Sequence, residues 1–237
     1  MARTSRLLAF VAKEFPEHGD ALDLIKSGSI AVNGIVVQNP DSMVNRESTV
    51  SLVHPRQLRG VRKLGEALKA FRINPLGWTA LDIGAAAGGF TQCLLDAGAA
   101  RVYAVDVGHG QLSSRLRLDS RVIVMENTNI AALSPSIVKE KVQLFTMDLS
   151  YLSLGAGVSQ LTAGLQPHDA NLLGLVKPMF ELGLPAAPTD IGAVDLAIGR
   201  AATAIENAGW KVVNSDYSTV GGAKGAAEGW IHALMSA

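Results

Sequence analysis

The stretch Leu81-Asp82-Ile83-Gly84-Ala85-Ala86-Ala87-Gly88-Gly89-Phe90-Thr91 decides how this chain folds. Apolar residues from Thr79 to Ile83 read as a strand, and Phe90–Ala97 as a helix. Between them lie small residues only, which let the backbone come close to a ligand. In open α/β sheets the first βα turn is where ligands bind. The spacing is G-x-x-x-G-G. It lacks the G-x-G-x-x-G that cradles a pyrophosphate and the Gly-Lys-Ser/Thr of a P-loop.

Working outward, the alternation continues in both directions. A helix from Lys63 to Phe71 precedes the strand. Downstream come strand Arg101–Asp106, helix Gln111–Leu118, strand Val122–Met125, strand Val142–Met147 and helix Leu154–Leu165. Strand Asn171–Val176, helix Val194–Ala208 and strands Lys211–Tyr217 and Glu228–Leu234 complete the chain. Strands alternating with helices predict right-handed crossovers and a mostly parallel, Rossmann-like sheet of seven strands. The last two strands have no helix between them and are expected to be antiparallel to each other. An acid opening the glycine-rich turn, Asp82, suits a cationic ligand end such as the amino-acid moiety of S-adenosylmethionine. Asp106, at the end of the next strand, is placed to accept hydrogen bonds from both hydroxyls of a ribose.

Upstream, residues 1–53 read as a separate small α+β unit. Leu7, Leu8, Phe10 and Val11 have helical spacing, and a second helix through Ala21, Leu22, Ile25 and Lys26 is closed by Gly28. Asn33-Gly34 between two β-rich runs predicts a hairpin. A third strand is expected from Thr49 to Val53, and residues 54–60 read as a linker to a domain spanning 61–237.

Composition sets limits. Apolar residues are 48% of the 237, so a substantial core can be buried. Formal net charge is zero, with 21 basic and 21 acidic residues, so any nucleic-acid site must be a local patch. One cysteine, Cys93, excludes an intramolecular disulfide and a cysteine-based zinc cluster, and no metal is expected. Lys13 and Glu14 interrupt the N-terminal apolar stretch too early for a signal peptide, and no run reaches the ~18 apolar residues of a membrane span. The expectation is a cytoplasmic protein.

Several further segments carry a resemblance. They are Arg59-Gly60 through Lys63-Leu64, the turn at 82–91, and Ala100-Arg101-Val102-Tyr103-Ala104-Val105-Asp106-Val107-Gly108 with Gly110-Gln111-Leu112. Thr128-Asn129, Asp148-Leu149-Ser150, and Leu175-Val176-Lys177-Pro178 with Phe180-Glu181 follow in order. Together they make the chain similar to the TlyA group of S4-domain, FtsJ-like RNA 2′-O-methyltransferases, which also carry the name haemolysin. The resemblance implies S-adenosylmethionine as cofactor and ribosomal RNA or ribosomal subunits, cytidines in particular, as substrate. It implies a catalytic set of Lys63, Asp148, Lys177 and Glu228. It also implies a cofactor site of Asp82, Gly84, Ala85, Gly88, Gly89, Phe90, Thr91, Asp106, Val107, Asn129 and Asp148.

Physical placement agrees with that set. Asp148 and Lys177 each follow an apolar strand and so emerge at the carboxyl edge of the sheet. Glu228 reaches the same edge if its strand runs antiparallel, and Lys63 lies on the entering helix. A ribose hydroxyl is a poor nucleophile until its proton is removed, and a lysine can remove it once burial or a neighbouring cation brings its pKa towards neutrality. Lys177 is the expected base, Lys63 the neighbouring cation, and Asp148 with Glu228 the groups that orient it. In the first unit and linker, Arg3, Arg6, Lys13, Lys26, Arg56 and Arg59 are the expected RNA contacts. The chain departs from the family pattern at Gly225-Ala226-Ala227-Glu228, where an asparagine is usual at 226, and at Arg59-Gly60-Val61, where Arg-Gly-Gly is usual. Two other readings stand beside the enzyme: a non-catalytic RNA-binding protein retaining the fold, and a membrane-active haemolysin.

Overall fold

The computed structural model describes residues 4–26, 28–45, 47–53, 58–222 and 225–236. The chain divides into two compact units, at 1–57 and 58–237.

The first unit contains β1 (Ser5–Arg6), α1 (Leu7–Glu14), α2 (Ala21–Lys26), β2 (Ile30–Val32), β3 (Ile35–Val36), β4 (Met43–Val44) and β5 (Val50–Leu52). Asn33 and Gly34 both have positive φ, 52° and 79°, as a two-residue type I′ hairpin requires. β5 pairs with the other side of β2, and Thr49 N–H donates to Asn33 Oδ1 at 2.9 Å, tying the turn to β5. Leu7, Val11, Ile25, Ile30 and Val44 form its small core. The two-residue pairing of β1 with β4 has no counterpart in the sequence reading.

The second unit opens with α3 (Arg59–Ala70), so Arg59 and Gly60 are its first turn rather than linker. It continues through β6 (Thr79–Ile83), α4 (Gly89–Asp96), β7 (Arg101–Val105), α5 (Ser114–Leu118), β8 (Val122–Met125), β9 (Leu144–Met147) and α6 (Leu154–Leu165). β10 (Ala170–Val176), α7 (Pro178–Leu182), α8 (Ile191–Asn207), β11 (Lys211–Tyr217) and β12 (Gly229–Met235) follow. The sheet order is β11-β12-β10-β9-β6-β7-β8, with β12 antiparallel to both neighbours and the other pairings parallel.

Alternation along the strands sends side chains to two layers. Leu81, Ile83, Tyr103, Val105, Phe145 and Met147 pack in one core with Val158 and Leu161 of α6 and Ala201 and Ile205 of α8. Ala80, Val102, Ala104, Leu144 and Trp230 pack in the other with Leu64 of α3 and Leu94 of α4. The chain steps from β6 outward to β7 and β8, then returns to place β9 on β6's other side. That reversal opens a crevice at the carboxyl ends of β6 and β9, as doubly wound sheets do. Inserting β12 between β10 and β11 brings Gly229 opposite Val176, so Glu228 and Lys177 lie at this same edge.

Candidate active site

Gly84 is the hinge of the crevice. It has φ +85°, and a Cβ there would sit 2.3 Å from the Asp148 carbonyl oxygen, so only glycine lets the turn after β6 press on the end of β9. Ala86 in the same turn is left-handed, φ 45°, which costs about 1–2 kcal/mol for a residue with a Cβ. It is held there by its N–H, which donates to Asp106 Oδ2 at 2.8 Å. Asp106 Oδ1 accepts from Gly108 N–H at 2.7 Å. Each oxygen therefore keeps a free lone pair.

These groups line a pocket of about 250 Å³, together with Ile83, Val107, Gln111, Thr128, Ile130, Asp148, Ser150 and Tyr151. The loop above it is pinned by Glu126, which accepts from the backbone N–H groups of Gly110, Gln111 and Leu112 and pairs with Arg117. The Arg117 contact and those N–H groups hold its carboxyl down to about 2.

The pocket suits a molecule with a ribose diol, a flat apolar ring and a cationic end. Asp106 offers lone pairs to the diol, Val107 and Ile130 offer apolar walls, and Asp148 offers a carboxylate. Among the residues expected to touch the cofactor, Gly84, Asp106, Val107 and Asp148 line this pocket. Ala85, Gly89 and Phe90 line an adjoining cavity with Leu58, Arg59, Gly60 and, again, Asp148.

The remaining four, Asp82, Gly88, Thr91 and Asn129, line neither cavity. Asp82 is fully buried and does not reach the pocket: Thr91 Oγ1 donates to its Oδ2 at 2.7 Å and Thr146 Oγ1 to its Oδ1 at 2.9 Å. Burial pushes its carboxyl up to about 6. Thr91, also fully buried, is thus a brace for Asp82. Gly88 precedes α4 and faces Leu112 and Leu116. The Asn129 side chain accepts from Ala131 N–H at 2.9 Å, capping a short 3₁₀ turn beside the pocket. Phe90 is buried against Trp230, with ring centroids 5.7 Å apart. Sequence reasoning quoted Ala86, Gln111 and Thr128 within its segments without giving them a role, and did not single out Tyr151. Ser150 was in its quoted Asp-Leu-Ser segment without a role.

The four expected catalytic residues meet as two pairs. Lys63 Nζ donates to Glu228 Oε2 at 2.5 Å, both side chains buried. Lys177 forms an ion pair with Asp148 Oδ1 and donates to Ser150 Oγ at 2.9 Å. Glu228 therefore holds Lys63, not Lys177 as the sequence reading had it. Lys177 caps β10 because Pro178 starts α7 directly after it. Position 226, the usual asparagine, is a buried alanine whose carbonyl accepts from Gly222 N–H at 2.8 Å.

Of the expected RNA contacts, Arg6 approaches Asp41 at 3.5 Å and Lys13 pairs with Glu14 at 3.0 Å, both at the surface. Lys26 and Arg59 are exposed. Arg3 and Arg56 lie outside the described residues.

A seven-stranded sheet with one antiparallel strand inserted next to its edge, a ligand crevice after its first strand and two lysine–carboxylate pairs defines a Rossmann-like methyltransferase. Comparison with known proteins narrows the class. The FtsJ-like methyltransferase family matches residues 57–226, and the chain belongs to it. It is 40% identical over 189 residues to the 16S/23S rRNA (cytidine-2′-O)-methyltransferase TlyA of Mycobacterium tuberculosis, covering 77% of this chain and 70% of the relative. It is 31% identical over 230 residues to hemolysin A of Brachyspira hyodysenteriae, covering 91% and 92%. A solved structure described as a hemolysin from Streptococcus thermophilus superimposes with a TM-score of 0.71 at 27% identity, covering 100% of this chain and 90% of that one.

Proposed function

We propose that this protein transfers a methyl group from S-adenosylmethionine to the ribose 2′-oxygen of cytidine in ribosomal RNA. The observation that carries the reading is the Lys177–Asp148 ion pair, whose acid lines the strand-end pocket beside Asp106. When bound, the cofactor supplies a methyl group on a positively charged sulfur.

The protein's own groups do the rest. Asp106 and the turn at 84–86 bind and orient. Lys177, acting with its carboxylate partner Asp148, takes up the proton from the 2′-hydroxyl as the oxygen–carbon bond forms and the carbon–sulfur bond breaks. Asp148 and Ser150 hold the Lys177 amine in place. Lys63, locked by Glu228, positions the helix that walls the adjoining cavity. General-base assistance of this kind contributes about 10²–10⁴ in rate, and holding the reactants in line contributes more.

The unit before the linker, residues 1–53, serves as an S4-like RNA-binding module, with Arg6, Lys13 and Lys26 as phosphate contacts. The haemolysin reading rests on the relatives' names. No helix among the described residues is long and apolar enough to cross a membrane.

The test is transfer of labelled methyl from the cofactor to ribosomal subunits and to protein-free ribosomal RNA, followed by digestion to nucleosides. Label in 2′-O-methylcytidine is expected. Cofactor binding without label in any ribose would overturn the reading. Leakage of liposomes at the same protein concentration would restore the haemolysin.

A further inference from the structure

α3 is charged on both of its faces, and the two sets of charges are treated differently. Its inner face buries Val61, Leu64, Ala67 and Leu68, and carries Lys63 to Glu228. Its outer face presents Arg59, Arg62, Glu66 and Lys69, all exposed. Steps of three, four and three residues keep these on one side of a helix. Arg72, also exposed, follows one residue past the helix's C-cap. From 59 to 72 there are five basic residues and one acid. With Lys63 neutralised by Glu228, an excess of three positive charges remains on a chain whose formal net charge is zero.

Elsewhere in this unit five basic side chains are ion-paired, while Arg115, Lys139, Arg200 and Lys211 stand exposed and scattered over separate segments with no ion pair among the described residues. Arg101 pairs with Glu140 at 3.1 Å, Arg121 with Asp119 at 2.8 Å and Lys141 with Asp169 at 3.1 Å, while Arg117 and Lys177 are also paired. On α3, Arg62 comes only within 3.9 Å of Glu66, and Glu66 already accepts from the Thr219 hydroxyl. Arg59, Lys69 and Arg72 make no ion pair with the described residues. The first turn of α3 contains no acid, and its N-cap, Leu58, makes no side-chain cap. Arg59 and Arg62 thus stand at the helix end where the macrodipole disfavours positive charge, while Lys69 and Arg72 stand at the end where it favours it. An anion from outside would relieve the first of these.

The row also leads somewhere. Arg59 lines the cavity that contains Asp148, and α3 runs about 18 Å away from it. At the far end Lys69 and Arg72 flank an open groove floored by Leu68, Ile73, Pro75 and Ala97, with Asp96 as its acid.

We propose that the outer face of α3 is the track along which the RNA backbone enters the reaction centre, with Arg59, Arg62, Lys69 and Arg72 taking successive phosphates. The inference rests on the RNA reading above. A line of cations one residue wide matches a phosphate chain better than it matches the broad plane of a membrane. The same helix is then locked to the sheet edge through Lys63 and Glu228 on one side and guides substrate on the other.

The test uses the full chain and protein-free ribosomal RNA, with binding measured across a salt series. Arg62→Gln/Lys69→Gln/Arg72→Gln is compared with Lys139→Gln/Lys211→Gln, which removes two exposed charges away from α3. Loss of three phosphate contacts should flatten the slope of log affinity against log salt by about 2, at about 0.7 per contact on a single strand. Affinity near physiological salt should fall on the order of 10-fold or more, while the control pair stays within twofold. Cofactor affinity of each variant reports that the fold survives. If the triple variant loses it, Lys69→Gln/Arg72→Gln alone should flatten the slope by about 1.4.

A wild-type slope in these variants overturns the track. So does a variant that keeps RNA but loses phosphatidylglycerol vesicles, which would assign the face to membranes. Absence of methyl transfer by a wild-type protein whose RNA binding shows the expected slope would sink the reaction and leave the track standing.

Discussion

The two lysine–carboxylate pairs at the carboxyl edge of the sheet have the same chemistry and different access to water. Lys63 and Glu228 keep 6% and 7% of their side-chain surface exposed, whereas Lys177 and Asp148 keep 17% and 26%. The acid of the open pair lines both cavities, and its lysine is also held by a serine hydroxyl. A sealed pair cannot reach a ligand without breaking, and it ties α3 to the residue before β12. An open pair can exchange its partner for a substrate oxygen. The contrast recurs in two strand-end acids. Asp82 is fully buried between two threonine hydroxyls, while Asp106, one strand away, is held by two backbone N–H groups with lone pairs left for a ligand. At this edge, burial separates charges closed to a ligand from charges open to one.

The sharpest way to break that division is Lys177→Ala. If the open pair acts on substrate, turnover should fall by about 10³-fold or more, the loss of a positioned base, with cofactor affinity held within a few-fold. Single-turnover methyl transfer and equilibrium cofactor titration read the two quantities separately. Full activity would remove Lys177 from the chemistry.

The sealed pair should answer in stability first. Lys63→Met leaves Glu228 buried and unpaired, and cutting one partner from a buried pair costs about 3–5 kcal/mol. Lys63→Met/Glu228→Gln should recover most of that in urea unfolding, because no buried charge is left, but should recover little activity. A double variant with wild-type turnover would show that α3 needs no ionic lock.

The sequence made much of this edge legible and hid its partition. Strands β6 to β10 and β12 are each marked by an apolar run between turns, β11 only by Val212-Val213, and the antiparallel return of β12 follows from the missing helix after β11. That logic places Asp148, Lys177 and Glu228 on one edge. Which lysine pairs with which acid is set by tertiary approach across 165 positions for Lys63 and Glu228, and periodicity carries no information at that range. Asp82 misled for a related reason. A strand-end acid before a glycine turn points to a ligand, but its Thr146 partner arrives from β9, 64 positions away. α7 has five residues and β1 and β4 two each, too short to show any period. The two-faced charge of α3 was present in the spacing, but reading it needs Lys63 known to be buried.

The open acid of the second contrast is tested by Asp106→Ala. A charged acceptor bonded to a ligand is worth about 1.5–3 kcal/mol, so cofactor affinity should weaken on the order of 10- to 100-fold. The same change frees the Ala86 and Gly108 N–H groups, so Asp106→Asn, which keeps one acceptor, should fall between. An unchanged dissociation constant in both variants would place the diol elsewhere.

Asp82 gives the smallest effect and the most specific one, because it depends on pH. Its carboxyl titrates near 6 in the folded chain and near 3.8 when exposed. Below 3.8 both states are protonated and burial is not penalised. As pH rises from about 4 to 6 the unfolded chain ionises first, so wild-type stability drops against Asp82→Asn, by roughly 1 kcal/mol per pH unit at most. Above 6 the gap is constant. Urea unfolding of both proteins at pH 4.5, 5.5 and 7.5 reads this directly. Because asparagine accepts at one oxygen only, in the Asp82→Asn chain either Thr91 or Thr146 must turn to accept from the amide N–H at every pH. The expected signature is therefore a gap that changes with pH on top of a constant offset. Two parallel stability curves would mean that Asp82 ionises alike in both states, and the sealed side of the edge would then be a matter of hydrogen bonding alone.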